Sequence, residues 1–399
     1  MRVRALLVAA VVLAARVAGA AADAATDDAA TELGVVPVIG GDSDVGLTLG
    51  AAGSLARFAP GAVPYDWRLE FAVITSVQPG ASMVTHQDYH VGLVVPELLG
   101  SRVRAEGRVG FSRFGNGEYH GLGNAADAPS SRNDFGLIYP QANVGADVRV
   151  WRQLRAGAGL LLRYVWPSIS DGGTLAAHLA SPTPLERDLL VGTEPHGVAQ
   201  ANLTADWDTR DDETSPTTGH RDVLTLQLTP ALGGSFRYGF VGVNVTAEHF
   251  VPLAAPAWVL ATRLVLDGVG GKPPFYELAR ARDASTAPGG DHSVRGVPAY
   301  RYFGKVKIFG NVEARWRGPG FTLWSQEIRL GGVAFVDAGR VFADWKLSPA
   351  YDGRGLGLEV GLGGGARIYW GRTFVLRADV AWSPDAQPVA FYFNVNQVF

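Results

Sequence analysis

Apolar and polar residues alternate with a period of two over most of this chain, which is typical of β-strands whose two faces meet different surroundings. In residues 373–382 the even positions are apolar, whereas the odd positions include Arg377 and Asp379. Residues 305–316 repeat the pattern, with Glu313 on the polar face. Because an apolar face suits lipid and a polar face suits an aqueous lumen, the pattern predicts a transmembrane antiparallel β-barrel of the all-β class.

Segments of this kind predict about sixteen strands, an even number that an antiparallel barrel with both ends on one side requires. The long linkers at 115–135, 168–195, 269–305 and 339–355 all fall at one end, which we expect to face outward from the cell. A soluble sandwich or propeller alternates in the same way. Aromatic residues near strand ends, and the lack of an internal repeat, favour the membrane barrel. The predicted strands are 33–40, 45–58, 65–77, 87–97, 101–114, 136–150, 154–167, 196–207, 220–232, 236–250, 257–268, 306–317, 326–338, 356–369, 373–383 and 389–399.

The first thirty residues indicate export. Arg2 and Arg4 precede an apolar run over residues 5–15, and small residues at 18–20 offer a cleavage site, as in a secretory signal peptide. The run is shorter than the roughly 20 apolar residues of a membrane-spanning helix. The expected organisation is a signal peptide over 1–20, a short disordered spacer over 21–32 and an outer-membrane β-barrel over 33–399.

Composition and motifs exclude several functions. Of 35 basic residues, Arg2, Arg4 and Arg16 lie in the signal peptide, so 32 remain against 38 acidic residues, and nucleic acid is a poor partner for this negative charge. The chain has no cysteine, which excludes disulfides and thiolate metal sites. It also has no Gly-x-Ser-x-Gly motif. We therefore predict no catalytic residues, no enzyme activity, no cofactor and no metal.

Several motifs, in order along almost the whole chain, give a resemblance to one family. They are residues 34–53, 119–124, 208–211, 293–297, 311–315, 335–339 and 391–399. Together they resemble the outer-membrane assembly-factor superfamily, which includes the BamA and TamA insertases, two-partner-secretion transporters and the bacterial surface antigen barrel domain. The resemblance is to a reduced member, because the sequence before residue 33 has no room for a polypeptide-transport-associated domain.

The most specific motif is Val294-Arg295-Gly296, which resembles the tip of the sixth extracellular loop in that family. Val297 stands where the family has an aromatic residue. The resemblance implies that this long loop folds back into the lumen.

A guanidinium in the lumen must be paired, since an unpaired buried charge is very costly. The strand parity places Glu313 and Asp337 inward, on the two strands that follow the loop, and Gly339 completes the motif around Asp337. The hypothesis is that Arg295 contacts both carboxylates and pins the loop. The alternative is a solvent-exposed arginine in a glycine-rich loop.

Two further predictions concern the closure of the barrel. Pro37 cannot donate to a strand ladder, and the first predicted strand is short, so the seam between the first and last strands should hold few hydrogen bonds. The alternative is a closed seam with the proline at a bulge. The last residues resemble the signal by which outer-membrane barrels are recognised for assembly, carried by Phe391, Phe393, Val395 and Phe399.

Two classes of function follow from the resemblance and the pattern. The first is an outer-membrane factor for protein insertion or transport, with a plugged lumen and a weak seam through which client strands pair. The second is a passive pore or a surface-exposed barrel without such activity. The expected partners are outer-membrane lipid, the barrel assembly machinery, and client outer-membrane proteins or a separate periplasmic partner.

Overall fold

Sixteen strands, each paired with its neighbours in sequence, close into one antiparallel barrel. They follow the sixteen predicted segments in number and order, and the largest difference at a strand end is in the twelfth, which runs to Leu323 instead of residue 317. This computed structural model describes residues 30–399, apart from 43, 59–64, 79–83, 99–101, 129–132, 254–256, 282–285, 324–325, 371–373, 385–388 and 396. The predicted signal peptide and most of the predicted spacer lie outside the described residues, and residues 30–32 already belong to the first strand.

The strand bounds show how the chain divides its length between wall and linkers. The strands are β1 (Ala30–Asp42), β2 (Gly46–Phe58), β3 (Trp67–Val77), β4 (Val84–Val95), β5 (Val103–Gly117), β6 (Phe135–Trp151), β7 (Leu154–Ile169), β8 (His196–Asp208), β9 (Gly219–Thr229), β10 (Phe240–Pro252), β11 (Trp258–Gly271), β12 (Val306–Leu323), β13 (Gln326–Phe342), β14 (Glu359–Trp370), β15 (Phe374–Trp382) and β16 (Ala390–Val395). The helices are α1 (Thr174–Ala180), α2 (Pro184–Leu189) and α3 (Pro349–Asp352), with a 3-10 turn at Phe275–Ala279. Within the described part of the chain, no helix has the length and apolar character needed to cross a membrane.

The two faces of the wall differ in the way that the alternation predicts. In β10 the outward residues Val241, Val243 and Val245 are exposed, whereas Asn244 and Thr246, at positions of the opposite parity, are buried. β12 and β15 follow the same rule, so that their charged residues point inward. The outer surface is therefore an apolar band, as a barrel in lipid requires.

The two ends of the barrel differ in their connections. The turns at one end are short, as at residues 152–153, whereas 118–134, 170–195, 272–305 and 343–358 all lie at the other end, here called the long-loop end. An aromatic cluster packs these loops together, because buried rings prefer edge-to-face contacts. Its largest fully buried members are Tyr119, Phe135, Tyr276, Phe275 and Phe303.

Candidate functional site

Arg295 of loop 272–305 lies fully buried against the inner wall, with 0% of its surface exposed. Its Nε is 2.7 Å from Asp337 Oδ2, and its Nη2 is 2.9 Å from Asp337 Oδ1. The main-chain N–H of Arg295 donates to the same carboxylate at 3.1 Å. This bidentate, charge-assisted arrangement holds both the side chain and the backbone of the loop against β13.

The remaining face of the guanidinium is also occupied. Arg295 Nη1 lies 2.7 Å from Glu313 Oε1 on β12, and the guanidinium carbon lies 3.4 Å from the ring centroid of Phe335. The structure thus brings together Arg295, Glu313 and Asp337, the three residues that the sequence analysis grouped. The function of this contact as a pin of the loop stays a prediction.

The sequence analysis missed a third carboxylate in this cluster. Asp379 Oδ2 on β15 lies 3.4 Å from Arg295 Nη1, and Asp379 Oδ1 accepts a 2.5 Å hydrogen bond from Arg367. Glu313 is shared in the same way, since Arg315 Nε donates to its Oε2 at 2.8 Å. The inward parity of Asp379 was visible in the sequence. Its contact with the loop was not, because only the loop backbone path decides which inward carboxylates Arg295 meets.

Glycines let the loop backbone approach the wall closely. A β-carbon added to Gly361 of β14 would lie 1.8 Å from the carbonyl oxygen of Arg295. Gly296 has a φ of +96°, a conformation that side chains rarely adopt, and its N–H donates to Tyr392 Oη at 3.0 Å. Val294 is fully buried, and a β-carbon at Gly339 would lie 3.0 Å from its Cγ2. The close spacing of wall and loop therefore depends on small residues on both sides.

The seam between β1 and β16 is short. Among the described residues, these strands pair through Gly41 with Phe393 and Asp42 with Tyr392, whereas every other neighbouring pair shares between six and sixteen residue pairs. The expectation of a short first strand is wrong, since β1 has 13 residues and pairs with β2 along its whole length. Pro37 lies within β1, opposite Ala51 of β2.

The last three residues leave the wall and enter the barrel. β16 ends at Val395 instead of continuing to Phe399 as predicted. Gln397 Oε1 accepts a hydrogen bond from Arg367 Nε at 3.0 Å. The Phe399 ring lies against the guanidinium groups of Arg263 and Arg315, whose carbons are 4.9 and 4.7 Å from its centroid.

Phe399, the last residue of the predicted assembly signal, lies inside the barrel and does not continue the outward face of β16. Phe391 is 57% exposed and points outward, Phe393 is half-buried, and the side chain of Val395 lies outside the described residues. Phe399 contacts Phe250 on the inner wall, with ring centroids 6.2 Å apart. The ring of Phe399 therefore makes two favourable cation–π contacts inside the barrel and does not face lipid. Recognition of these residues for assembly stays a prediction.

A cavity of about 510 Å³ lies at the seam and is lined by both of its strands and by loop 272–305. Pro37 and Ile39 of β1 line one side, and Asp291 and Tyr300 of loop 272–305 line another. Phe393 of β16 completes the lining at the seam itself. The cavity therefore separates β1 from the loop, while the loop contacts β12 to β16 directly.

Comparison with known proteins identifies relatives of this barrel. The family model of the Omp85 superfamily domain matches residues 75–399. CdiB from Escherichia coli has a similar structure, with a TM-score of 0.63 and 13% identity over 91% of this chain and 62% of that chain. BamA from Haemophilus ducreyi lacking POTRA domains 1-3 gives a TM-score of 0.59 and 15% identity, over 93% of this chain and 70% of that chain.

A third structure, CdiB from Acinetobacter baumannii, gives a TM-score of 0.54 and 12% identity over 93% of this chain and 66% of that chain. Identities this low show a shared fold and nothing finer. No curated protein sequence matches the chain.

Proposed function

Because the chain belongs to the Omp85 superfamily, we propose that it inserts or transports polypeptides at the bacterial outer membrane. The short seam is the observation that carries this proposal, since among the described residues two pairs join β1 to β16 while thirteen join β1 to β2. A strand edge that lacks a partner offers its N–H and C=O groups to another chain. Client strands would therefore pair with β1 as the seam opens.

In this proposal the lumen is plugged, so that solutes do not diffuse freely through the barrel. Loop 272–305 acts as a plug in the lumen, and the long-loop end faces outward from the cell. The plug is supported by the ion pairs of Arg295 with Asp337, Glu313 and Asp379, which engage these inward carboxylates. For the same reason we propose a role without catalysis. Client outer-membrane proteins, the barrel assembly machinery and a separate periplasmic partner are the proposed partners.

A disulfide across the seam tests this function, and the cysteine-free chain makes the result clean. Continuing the register of Gly41 with Phe393 places Ile39 opposite Val395. In Ile39→Cys/Val395→Cys, oxidation should slow insertion of a urea-unfolded outer-membrane barrel into proteoliposomes by about tenfold, and reductant should restore it. Ala51→Cys/Val73→Cys is the matched control, because these residues already face each other across β2 and β3. Equal insertion by the oxidised and reduced seam variant would contradict the proposal.

A passive pore is the second candidate, and one observation favours it. Charged inward residues near the short-turn end are partly accessible, with side-chain exposures of 30% for Glu70, 29% for Asp147 and 25% for Asp206. Such a lining fits water in that part of the lumen. Planar-bilayer recordings separate the two functions, because a plugged lumen should give small, irregular currents. Large, steady and ion-selective channels would support the pore.

A further inference from the structure

Trp345 covers the outside of a strand that is not its neighbour in sequence. β13 ends at Phe342, yet a β-carbon added to Gly268 of β11 would lie 2.6 Å from the indole Cη2 of Trp345. The indole N–H donates to the carbonyl oxygen of Val269 at 2.9 Å. Since β12 lies between β11 and β13, the loop that carries Trp345 crosses the end of β12 and fixes the ring on the wall beyond it.

The ring lies on the lipid-facing side of that wall. Gly268 has the same parity as Leu264 and Leu266, whose exposures are 47% and 43%, and it pairs with the outward Val243. The indole therefore continues the apolar outer band at the long-loop end of the barrel. Tryptophan is enriched at this level of membrane proteins, because its ring suits the boundary between acyl chains and headgroups.

Exposed apolar and basic side chains surround Trp345 on a braced backbone. Trp345 and Leu347 are each 59% exposed, and Lys346 between them is exposed as well. Lys272, which directly follows β11, is also exposed. The loop is held by Asp352, whose carboxylate accepts 2.7 Å hydrogen bonds from the N–H groups of residues 343 and 348.

We propose that Trp345, Leu347, Lys272 and Lys346 form a binding site for a phosphorylated lipid of the adjoining leaflet. The indole and the leucine contact acyl chains in continuation of the outer band, and the two ammonium groups bind the phosphates. Basic residues beside an apolar surface recognise anionic lipid in this way. The site lies on the outer wall, away from the seam, and takes only its first residue, Lys272, from loop 272–305.

The first test measures lipid affinity in phosphatidylcholine nanodiscs, with bisphosphorylated lipid A as the probe and native mass spectrometry as the readout. Lys272→Gln/Lys346→Gln should weaken binding about thirtyfold, because each lysine near an anionic surface contributes about fivefold. Arg152→Gln is the matched control at the short-turn end, where Trp151 is also 59% exposed beside a guanidinium 5.3 Å from its ring. The control should bind like the wild type. Equal binding by wild type and double variant, or equal loss in the control, would overturn the site.

Two further measurements separate phosphate recognition from general lipid contact. Dephosphorylated lipid A should bind the wild type as weakly as it binds the double variant, and equal affinity of the wild type for both lipids would exclude the phosphate contact. Trp345→Phe tests the ring, because brominated phosphatidylcholine quenches tryptophan fluorescence only at close approach. The variant should lose part of the quenching that the wild type shows, and unchanged quenching would place the indole away from lipid. Heat-modifiable gel mobility reports whether each variant keeps the folded barrel.

Discussion

Removal of the Arg295 side chain should destabilise the barrel more than any exposed ion pair can. In Arg295→Ala, Glu313 keeps Arg315 as a partner at 2.8 Å and Asp379 keeps Arg367 at 2.5 Å. Asp337 loses both guanidinium bonds and keeps two neutral donors, the amide of Asn311 at 2.8 Å and the main-chain N–H of residue 295 at 3.1 Å. An uncompensated carboxylate then remains in a fully buried position.

The expected loss follows from that uncompensated charge. Removal of one partner from a buried ion pair typically costs about 3–5 kcal/mol. Arg295→Ala should lower the free energy of unfolding by about that amount, and Asp337→Ala by a similar amount because it leaves the guanidinium less paired. The double variant removes the uncompensated charge, so its loss should fall short of the sum of the two single losses by about 2–3 kcal/mol.

Urea titration of the barrel in lipid vesicles measures these values, with tryptophan fluorescence and heat-modifiable gel mobility as readouts. Arg329→Ala on the same strand β13 is the control, since the Arg329–Glu327 pair is 43% and 66% exposed and should contribute less than about 1 kcal/mol. Limited proteolysis should also cut loop 272–305 faster in Arg295→Ala. Strict additivity of the two single variants, or a loss in Arg295→Ala no larger than that of the control, would refute the reasoning.

Three other predictions test separate contacts. Gly361→Val should displace the loop, because even a β-carbon would lie 1.8 Å from the Arg295 carbonyl, and proteolysis of residues 272–305 should accelerate. Phe399→Ala should lower stability by about 1–3 kcal/mol through loss of its two cation–π contacts and its ring packing, as measured by urea titration. Asp211 accepts hydrogen bonds from two N–H groups of the 209–218 turn. Burial raises the pKa of Asp211, but these two bonds and one from a side-chain hydroxyl lower the pKa overall. The turn should therefore lose stability only as the pH falls through that lowered pKa, and amide hydrogen exchange in the turn measures the loss.

Each of these tests has an outcome that contradicts it. Gly107→Ala is the control for the glycine, since the nearest atom to an added β-carbon there is 3.7 Å away, and equal proteolysis of both variants would remove the steric argument. Phe399→Leu keeps apolar packing without the ring face, so stability equal to that of wild type would exclude the cation–π contribution. If the amides of the turn in Asp211→Asn still lose protection at acidic pH, a group other than Asp211 is responsible for the titration.

The alternation predicted the wall well because lipid and lumen impose opposite chemistry on its two faces. Every predicted strand forms, and the parity that placed Glu313 and Asp337 inward is the parity of the structure. Resemblance to a family then identified Arg295 within the longest loop. The local pattern and the family motif together therefore predicted the contacts of Arg295 with Glu313 and Asp337.

Closure of the barrel could not be predicted in the same way. The sequence from Phe391 alternates as far as Asn396 and ends in Phe399, so local pattern favours a strand, whereas Phe399 contacts Arg263 and Arg315 inside the barrel. β1 carries many small residues and alternates weakly, and its thirteen pairs with β2 set its length. Both outcomes depend on residues more than eighty positions away or on the partner strand, and local strand propensity does not include such contacts.

In the proposed opening of the seam, the uneven attachment of loop 272–305 determines which border we expect to move. Arg295 ties the loop to β12, β13 and β15, while Asp291 accepts a 2.7 Å hydrogen bond from Asn394 of β16. On the opposite border, the cavity separates the β1–β2 hairpin from the loop. We therefore expect β16 to stay in place and the β1–β2 hairpin to move when the seam opens. Spin labels on β1 should then change their distance to the rest of the barrel, whereas labels on β15 should not.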